Sequence, residues 1–181
     1  MGDERRWTAA LEEHETVVRA FLAKCQAVAP ADWQRAPDPG KWSPAAVVLH
    51  VCRAYELGRD AIAGGPGMRL LVPPAAAWFA RKLLLPFLLA TKRFPQGASA
   101  PAEVVPDLAE ARLLLQDVAA ARVRRVSEQA ATALRRAADE YPSARVTHAF
   151  FGALDPHAAL RVLSAHTRHH TRLLGQQASL V

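Results

Sequence analysis

Apolar residues recur every three or four positions along four long stretches of this sequence, and that spacing restricts the chain to helices. In the first stretch, residues 4–28, they are Trp7, Leu11, Val17 or Val18, Phe21 or Leu22, and Cys25, on one face of an amphipathic helix. The 181 residues include 38 alanines, and β-branched residues other than a few valines are sparse. The sequence therefore predicts an all-α protein.

Turn-forming and capping residues indicate where the helices begin and end. Ser43-Pro44 and Asp155-Pro156 each place a capping side chain before a proline at the first helical position. We predict four long helices, over residues 4–28, 44–63, 107–138 and 156–176, and a loop over residues 147–154. Four such helices predict an up-and-down four-helix bundle with one crossover, as a single domain over residues 1–181.

Residues 68–106 differ from the rest of the chain because they contain six prolines and only one short helical piece, near residues 75–91. We interpret this segment as an arm inserted into the bundle. Its large apolar residues are Trp78, Phe79, Leu83, Leu84, Phe87 and Leu88. Because so apolar a stretch is rarely left exposed, we expect the arm either to bury these residues on its own bundle or to form a homodimer contact.

Charge, cysteine content and hydropathy exclude several classes of protein. The formal net charge of +6 is spread along the chain, which does not favour a nucleic-acid partner. Cys25 and Cys52 lie in apolar stretches and are predicted to be buried hydrophobes, not parts of a disulfide framework. With no leader-like segment and no apolar run long enough to span a bilayer, we expect a cytoplasmic protein without a membrane partner.

Three of the seven histidines lie close together near the end of the sequence. His166 and His170 are one helical turn apart, so their Cβ atoms are about 6 Å apart on one face, a separation that one divalent ion can bridge. His50 lies on the apolar side of the second helix, between Ala46 and Ala54, where an imidazole needs a polar partner. Each feature also has a simpler interpretation. His166 and His170 could be solvated or hydrogen-bonded within the core, and His50 could be a buried ring bonded to a carbonyl or carboxylate.

The segments 41–44 (Lys-Trp-Ser-Pro) and 48–51 (Val-Leu-His-Val), with the His166-x-x-x-His170 helix, resemble the DinB/YfiT-like metalloenzyme superfamily. The resemblance covers the four helices and implies a four-helix bundle with a divalent metal, usually nickel or zinc. It implies that His50, His166 and His170 are the metal ligands. Residues 148–152 (His-Ala-Phe-Phe-Gly) are similar to a loop in one branch of the superfamily.

Two residues depart from the pattern of that superfamily. Ala149 stands where the loop has a proline, and Leu173 stands where relatives often carry a glutamine. Both positions concern substrate contacts and not the metal. Family members include transferases and isomerases that use low-molecular-weight thiols, so the resemblance implies no single reaction.

We predict a metal-dependent enzyme of hydrolase or thiol-dependent transferase type that acts on a small molecule, with a low-molecular-weight thiol as one candidate. The alternative is a bundle that binds a small ligand or a metal without catalysis. Since residues 47–54 and 163–174 contain no Asp or Glu, His148 and His169 are the nearest candidates for proton transfer. His148 could equally be a solvated loop residue. The remaining histidines, His14 and His157, are expected at the surface, and three aromatic residues are expected in the core: Trp42, Phe150 and Phe151.

Overall fold

The computed structural model describes residues 2–91 and 100–177, and it confirms a mostly helical chain. The helices are α1 (Gly2–Gln26), α2 (Pro44–Ile62), α3 (Pro74–Phe79), α4 (Leu85–Thr91), α5 (Leu108–Leu113), α6 (Gln116–Glu140) and α7 (Pro156–Gln177). A π-helical turn, Ala80–Leu84, joins α3 to α4, and Ala102–Val104 forms a 3₁₀ turn. Two short antiparallel strands, β1 (Val146–His148) and β2 (Gly152–Leu154), precede α7. Among the described helices, none is long and apolar enough to cross a membrane.

The two predicted helix starts are confirmed by their capping bonds. The Ser43 hydroxyl accepts a hydrogen bond from the backbone N–H of Ala46 at 3.3 Å, at the start of α2. The Asp155 carboxylate accepts from the N–H of Ala158 at 2.8 Å, at the start of α7. In both cases the capping side chain bonds a backbone N–H that has no partner within the helix. The proline at the first helical position has no N–H of its own, so it leaves no unbonded donor there.

The helix α1 runs parallel to α7 and antiparallel to α6. Near its start, Arg6 lies against His157, and farther along Glu13 accepts a hydrogen bond from Arg168 at 2.8 Å. Glu4 instead meets Arg135, late in α6, at 2.7 Å, and the last turn of α1 meets the first residue of α6. The first and last long helices of the sequence are therefore neighbours in space.

The helix α2 runs parallel to α6 and antiparallel to α7. Glu56 and Arg59 bond to Arg122 and Gln129 of α6, at 3.0 and 2.9 Å, so the two helices advance together. Towards α7 the order is reversed, with Tyr55 bonded to Thr167 at 2.8 Å and Gly58 packed against the earlier Leu163. The chain must therefore return along the length of α2 before α6 begins.

The third long helix is shorter than predicted because it is interrupted at residues 114 and 115. The Leu114 backbone is extended there, with φ −76° and ψ 110°. Its carbonyl accepts hydrogen bonds from Trp33 Nε1 at 2.7 Å and from Gln34 Nε2 at 3.0 Å. These side chains satisfy an oxygen that a continuous helix would have bonded internally, so the segment divides into α5 and α6.

The predicted loop at residues 147–154 is also wrong in part, because it contains the β1–β2 hairpin. Val146 pairs with Leu154 and His148 with Gly152. Gly152 has a φ of +66°, a conformation that other residues rarely adopt, which explains a glycine at the start of the returning strand. Phe151, expected in the core, is 7% exposed.

The arm does not bury its apolar residues on its own bundle, which was the first of the two predicted arrangements. Of the six named in the sequence, only Leu88 is buried within the chain, and the other five are exposed: Trp78, Phe79, Leu83, Leu84 and Phe87. The side of the arm that does pack presents Ala77 and Leu85, together with Leu88, to the rest of the fold. Residues 92–99 of the predicted arm lie outside the described residues.

His14 lies in the core, which corrects the prediction that it is a surface residue. Its side chain is 5% exposed, its Nδ1 lies 3.2 Å from Ser164 Oγ, and its ring packs edge-on against Tyr55. The two cysteines are buried as predicted.

Candidate metal centre

His50 is held on α2 with one ring nitrogen already bonded. Its Nδ1 lies 2.7 Å from the backbone carbonyl oxygen of Val104, at the end of the arm. Because a carbonyl only accepts hydrogen bonds, Nδ1 carries the ring proton and donates it. The neutral ring then presents an unprotonated Nε2 to the interior of the site, the form in which an imidazole ligates a metal.

His166 and His170 present their Nε2 atoms to the same point from successive turns of α7. The distance between Nε2 of His50 and Nε2 of His166 is 2.9 Å, and that between the Nε2 atoms of His166 and His170 is 3.1 Å. Three nitrogens bound to one ion at about 2.1 Å would lie about 3.0 to 3.4 Å from one another. The three histidines therefore lie close enough together to bind one metal ion.

The protons available in this cluster cannot satisfy both of its short contacts. His166 Nε2 carries either one proton or one lone pair, so it cannot make a separate hydrogen bond to each of its two neighbours. A divalent cation would accept all three Nε2 lone pairs at once, so the residues present fit a metal.

The electrostatic environment keeps these rings neutral. Desolvation lowers the pKa of His50, and it lowers the pKa values of His166 and His170 well below the usual range for histidine. Repulsion by the neighbouring imidazoles, including His169, lowers all three pKa values further. Near neutral pH the cluster is therefore in the deprotonated form that metal binding requires.

Comparison with known protein families agrees with this geometry. The family model described as the DinB superfamily matches residues 10–174. This chain belongs to the DinB superfamily. The matched range contains all three histidines of the cluster, and the other two comparisons found no matching curated protein and no matching solved structure.

In this DinB-superfamily chain, two further aromatic rings border the three histidines. The ring of Trp42 lies 4.8 Å from that of His50, so the tryptophan expected only in the core also covers a site residue. The His169 ring lies 5.1 Å from the His170 ring and nearly perpendicular to it. Desolvation, followed by the charge of Arg172, lowers the pKa of His169.

His148, the other predicted proton-transfer residue, is fixed in one tautomer. Its Nδ1 accepts a hydrogen bond from the backbone N–H of Phe150 at 3.2 Å, and its ring stacks on Phe151 at 4.8 Å. The neutral ring must therefore carry its proton on Nε2. Desolvation lowers the pKa of His148 to about 4, and its charge when protonated would lower the pKa of His166. His148 is thus neutral near neutral pH, with an Nε2 proton that it can donate, and it lies half-buried in β1.

Sequence reasoning missed the segment that orients His50. Val104 is the last residue of the 3₁₀ turn, which Pro101 precedes. Arg53 donates a hydrogen bond to the carbonyl of the next residue, Val105. Glu110 accepts from both Arg53 and Arg122, which ties this segment to α2 and α6. A backbone carbonyl can belong to any residue type, so no motif could have identified it. The only signal was the pair of prolines, 101 and 106, on either side.

Proposed function

We propose that His50, His166 and His170 bind one divalent metal ion, nickel or zinc, and that the chain is a metal-dependent enzyme. The observation that supports this most directly is the convergence of three Nε2 atoms at 2.9 and 3.1 Å. The fixed tautomer of His50 agrees with it.

The proposed site has the ligand set of a catalytic centre. A divalent ion held by three protein ligands keeps an open coordination position, where the pKa of a water or thiol is lowered. Around it, His148 would donate a hydrogen bond from Nε2 to an anionic substrate atom. His169, neutral near pH 7 because its pKa is lowered, would accept a proton.

The reaction we propose is either hydrolysis or transfer to a low-molecular-weight thiol. The charged groups that shift the pKa values of the three clustered histidines are other histidines, without a carboxylate among those identified. Proton transfer would then fall to imidazoles, and a thiol, which loses its proton more readily than an alcohol, suits such a site.

One observation favours the alternative of a metal- or ligand-binding protein without catalysis. The two cavities described in the structure, of about 480 and 400 Å³, are lined by residues other than the three clustered histidines. Turnover of any substrate would decide between the two functions.

The helix pairings support a finer description of the architecture. We propose that α1, α2, α6 and α7 form an up-and-down bundle with one crossover, and that the matched residues 10–174 belong to a single domain. The crossover is the connection from α2 to α6, because those two helices run in the same direction.

The metal is tested by the content of protein purified without a nickel column. We expect about one nickel or zinc ion per chain, or binding of about one ion after incubation with the metal. The double variant His166→Ala/His170→Ala should bind none, whereas His157→Ala, on the same helix, should bind as the parent does. Equal binding by the parent and the double variant would refute the site.

The thiol reaction is tested on cobalt-substituted protein. A thiol that binds at the open position should shift the ligand-field absorption bands. The shift should persist in Cys25→Ala/Cys52→Ala, because both cysteines are buried away from the proposed ligands. If several thiols leave the bands unchanged, the transferase is eliminated while the metal site stands.

A further inference from the structure

The arm presents a large apolar face to its surroundings. Phe79, Leu83 and Phe87 follow one another at four-residue intervals and are 58%, 66% and 68% exposed. Trp78 and Leu84 widen the face, at 49% and 60% exposure. Together the five side chains expose on the order of 500 Å² of apolar surface, near the upper end for the largest patch on a typical monomer.

The same segment has an unusual charge. Between Asp60 and Glu103 the sequence contains five Lys or Arg residues and no Asp or Glu, so the formal net charge of +6 is less evenly spread along the chain than the sequence analysis stated. Lys82 lies on the described helical part of the arm, where it is exposed, and it makes no hydrogen bond or ion pair within residues 2–91 and 100–177. The helical part of the arm, residues 74–91, therefore carries positive charge and no acid, while Glu103, farther along the arm, accepts a hydrogen bond from the backbone N–H of Arg69.

A cavity of about 480 Å³ lies beside the same helical segment, against Arg81, Lys82 and Leu85. It is lined by three cationic side chains, Arg81, Lys82 and Arg145, and by one carboxylate, Asp155. That carboxylate already accepts the capping N–H of α7, and Arg81 is oriented by a hydrogen bond to the carbonyl of Ala153. An anionic group such as a phosphate would be attracted here.

These features favour an anionic bilayer over a second copy of the chain. Two arms packed face to face would bring Lys82 and its counterpart together, and residues 74–91 of neither arm contain an Asp or Glu to separate them. An anionic lipid surface offers hydrocarbon to the aromatic and leucine side chains and phosphate to the cations. Trp and Phe beside Lys and Arg is the composition of helices that lie in a membrane interface.

We propose that the arm face, Trp78, Phe79, Leu83, Leu84 and Phe87, docks on an anionic phospholipid surface, with Arg81, Lys82 and Arg145 facing lipid phosphates. The arm would lie in the interface without crossing the bilayer. This differs from the expectation, based on the lack of a spanning segment, that a membrane is not a partner. The docking does not depend on the metal.

The proposal is tested by co-sedimentation of the full chain with vesicles. One set is pure phosphatidylcholine, and the other contains about 30% phosphatidylglycerol. We expect at least tenfold tighter binding to the anionic vesicles, weaker binding as salt is raised, and a blue shift of tryptophan fluorescence as Trp78 leaves water. Equal binding to both vesicle types, or to neither, would overturn the proposal.

Three variants assign the binding to the arm. Phe79→Ser/Leu83→Ser/Phe87→Ser should weaken vesicle binding at least a hundredfold, and Lys82→Glu about tenfold. The matched control Leu108→Ser/Leu113→Ser/Val118→Ser removes equally exposed apolar side chains from α5 and α6 and should bind like the parent. All substituted positions are exposed, so circular dichroism should show unchanged folding.

A second copy as the occupant would give a different pattern. Analytical ultracentrifugation without vesicles should show a monomer for the parent and for the triple arm variant. A parent dimer that the arm variant converts to a monomer would show that the face is a dimer contact and would overturn lipid docking. Vesicle binding lost equally in the control variant would also overturn it.

Discussion

The histidines of this chain differ in which ring nitrogen holds the proton, and that difference sets what each can do. The Val104 carbonyl holds the proton of His50 on Nδ1, which leaves Nε2 for a ligand. The Phe150 N–H has the opposite effect on His148, where Nδ1 is occupied and Nε2 donates. Two neutral rings therefore have opposite roles because of one backbone partner each.

Burial of His14 predicts a dependence of stability on pH. Desolvation lowers the pKa of His14 in the folded chain, so below about pH 6.5 the unfolded chain binds a proton that the folded chain does not. The free energy of unfolding should therefore fall as pH decreases below about 6.5. His14→Gln should reduce this slope by up to about 1.4 kcal/mol per pH unit, measured by urea unfolding at several pH values.

The control for His14 is His157, which is only partly buried. His157→Gln should change the slope less than His14→Gln does, because its pKa is lowered in a more exposed position. If His14→Gln left the slope of the parent unchanged, the buried neutral ring would not be a source of the pH dependence.

The two cysteines should be chemically inert in the folded protein. Burial raises the pKa values of Cys25 and Cys52 to about 12, so almost no thiolate is present near neutral pH. We expect a disulfide reagent that reports free thiols to label neither residue until urea unfolds the chain, and then to label both. Rapid labelling of the native protein would contradict this burial.

At the level of single residues, the sequence predicted what local spacing encodes. His166 and His170 could be paired because one helical turn separates them, and His50 because its neighbours are apolar. His14 could not be placed, because Glu12, Glu13 and Glu15 surround it and make the position resemble a surface. Its burial depends on contacts with other helices, among them Ser164 of α7 and Tyr55 of α2.

Elements were predicted well where their ends have local causes and poorly where the cause is distant. The starts of α2 and α7 follow from their own capping residues. The break between α5 and α6 depends on Trp33 and Gln34, about 80 positions away in sequence. The apolar run of the arm indicates that its side chains contact another apolar surface, but it does not identify that surface.

The end of the arm should influence metal binding, although it contributes no metal ligand. Arg53 bonds the carbonyl next to Val104 and pairs with Glu110, which holds the acceptor of His50 in place. Arg53→Met should therefore weaken zinc binding about tenfold, measured by competition with a chromogenic chelator. Arg59→Met, on the same helix but bonded to Asp60 and Gln129, is the matched control and should bind zinc like the parent. Equal affinities in the two variants would contradict the role of Arg53.

At the scale of the whole molecule, the four long helices hold one another without a metal. Their contacts bury large side chains on every one of them, among them Phe21, Tyr55, Leu134 and Leu160. A chain of this length buries roughly 70% of the surface that its unfolded form exposes, enough for a core of its own. We therefore expect the fold to be stable without the proposed ion.

Removing the metal should accordingly lower the melting temperature without unfolding the chain. Chelator-treated protein should keep its helical circular dichroism, and zinc at about a hundred times its Kd should raise Tm by roughly 5 to 10 °C. His166→Ala/His170→Ala should show no such shift. Loss of helical signal on chelation would mean that the metal holds the fold together.

The parallel course of α2 and α6 sets a minimum length for the chain between them. A return along the 19 residues of α2 covers about 28 Å, which roughly nine extended residues could span. The connection from Ile62 to Gln116 is several times longer. Most of it is therefore not needed to link the helices, so it can change in length and sequence while their registers stay fixed. Evolution can thus change the binding surface formed by this connection without changing the packing of the helices, provided that the carbonyl facing His50 is kept.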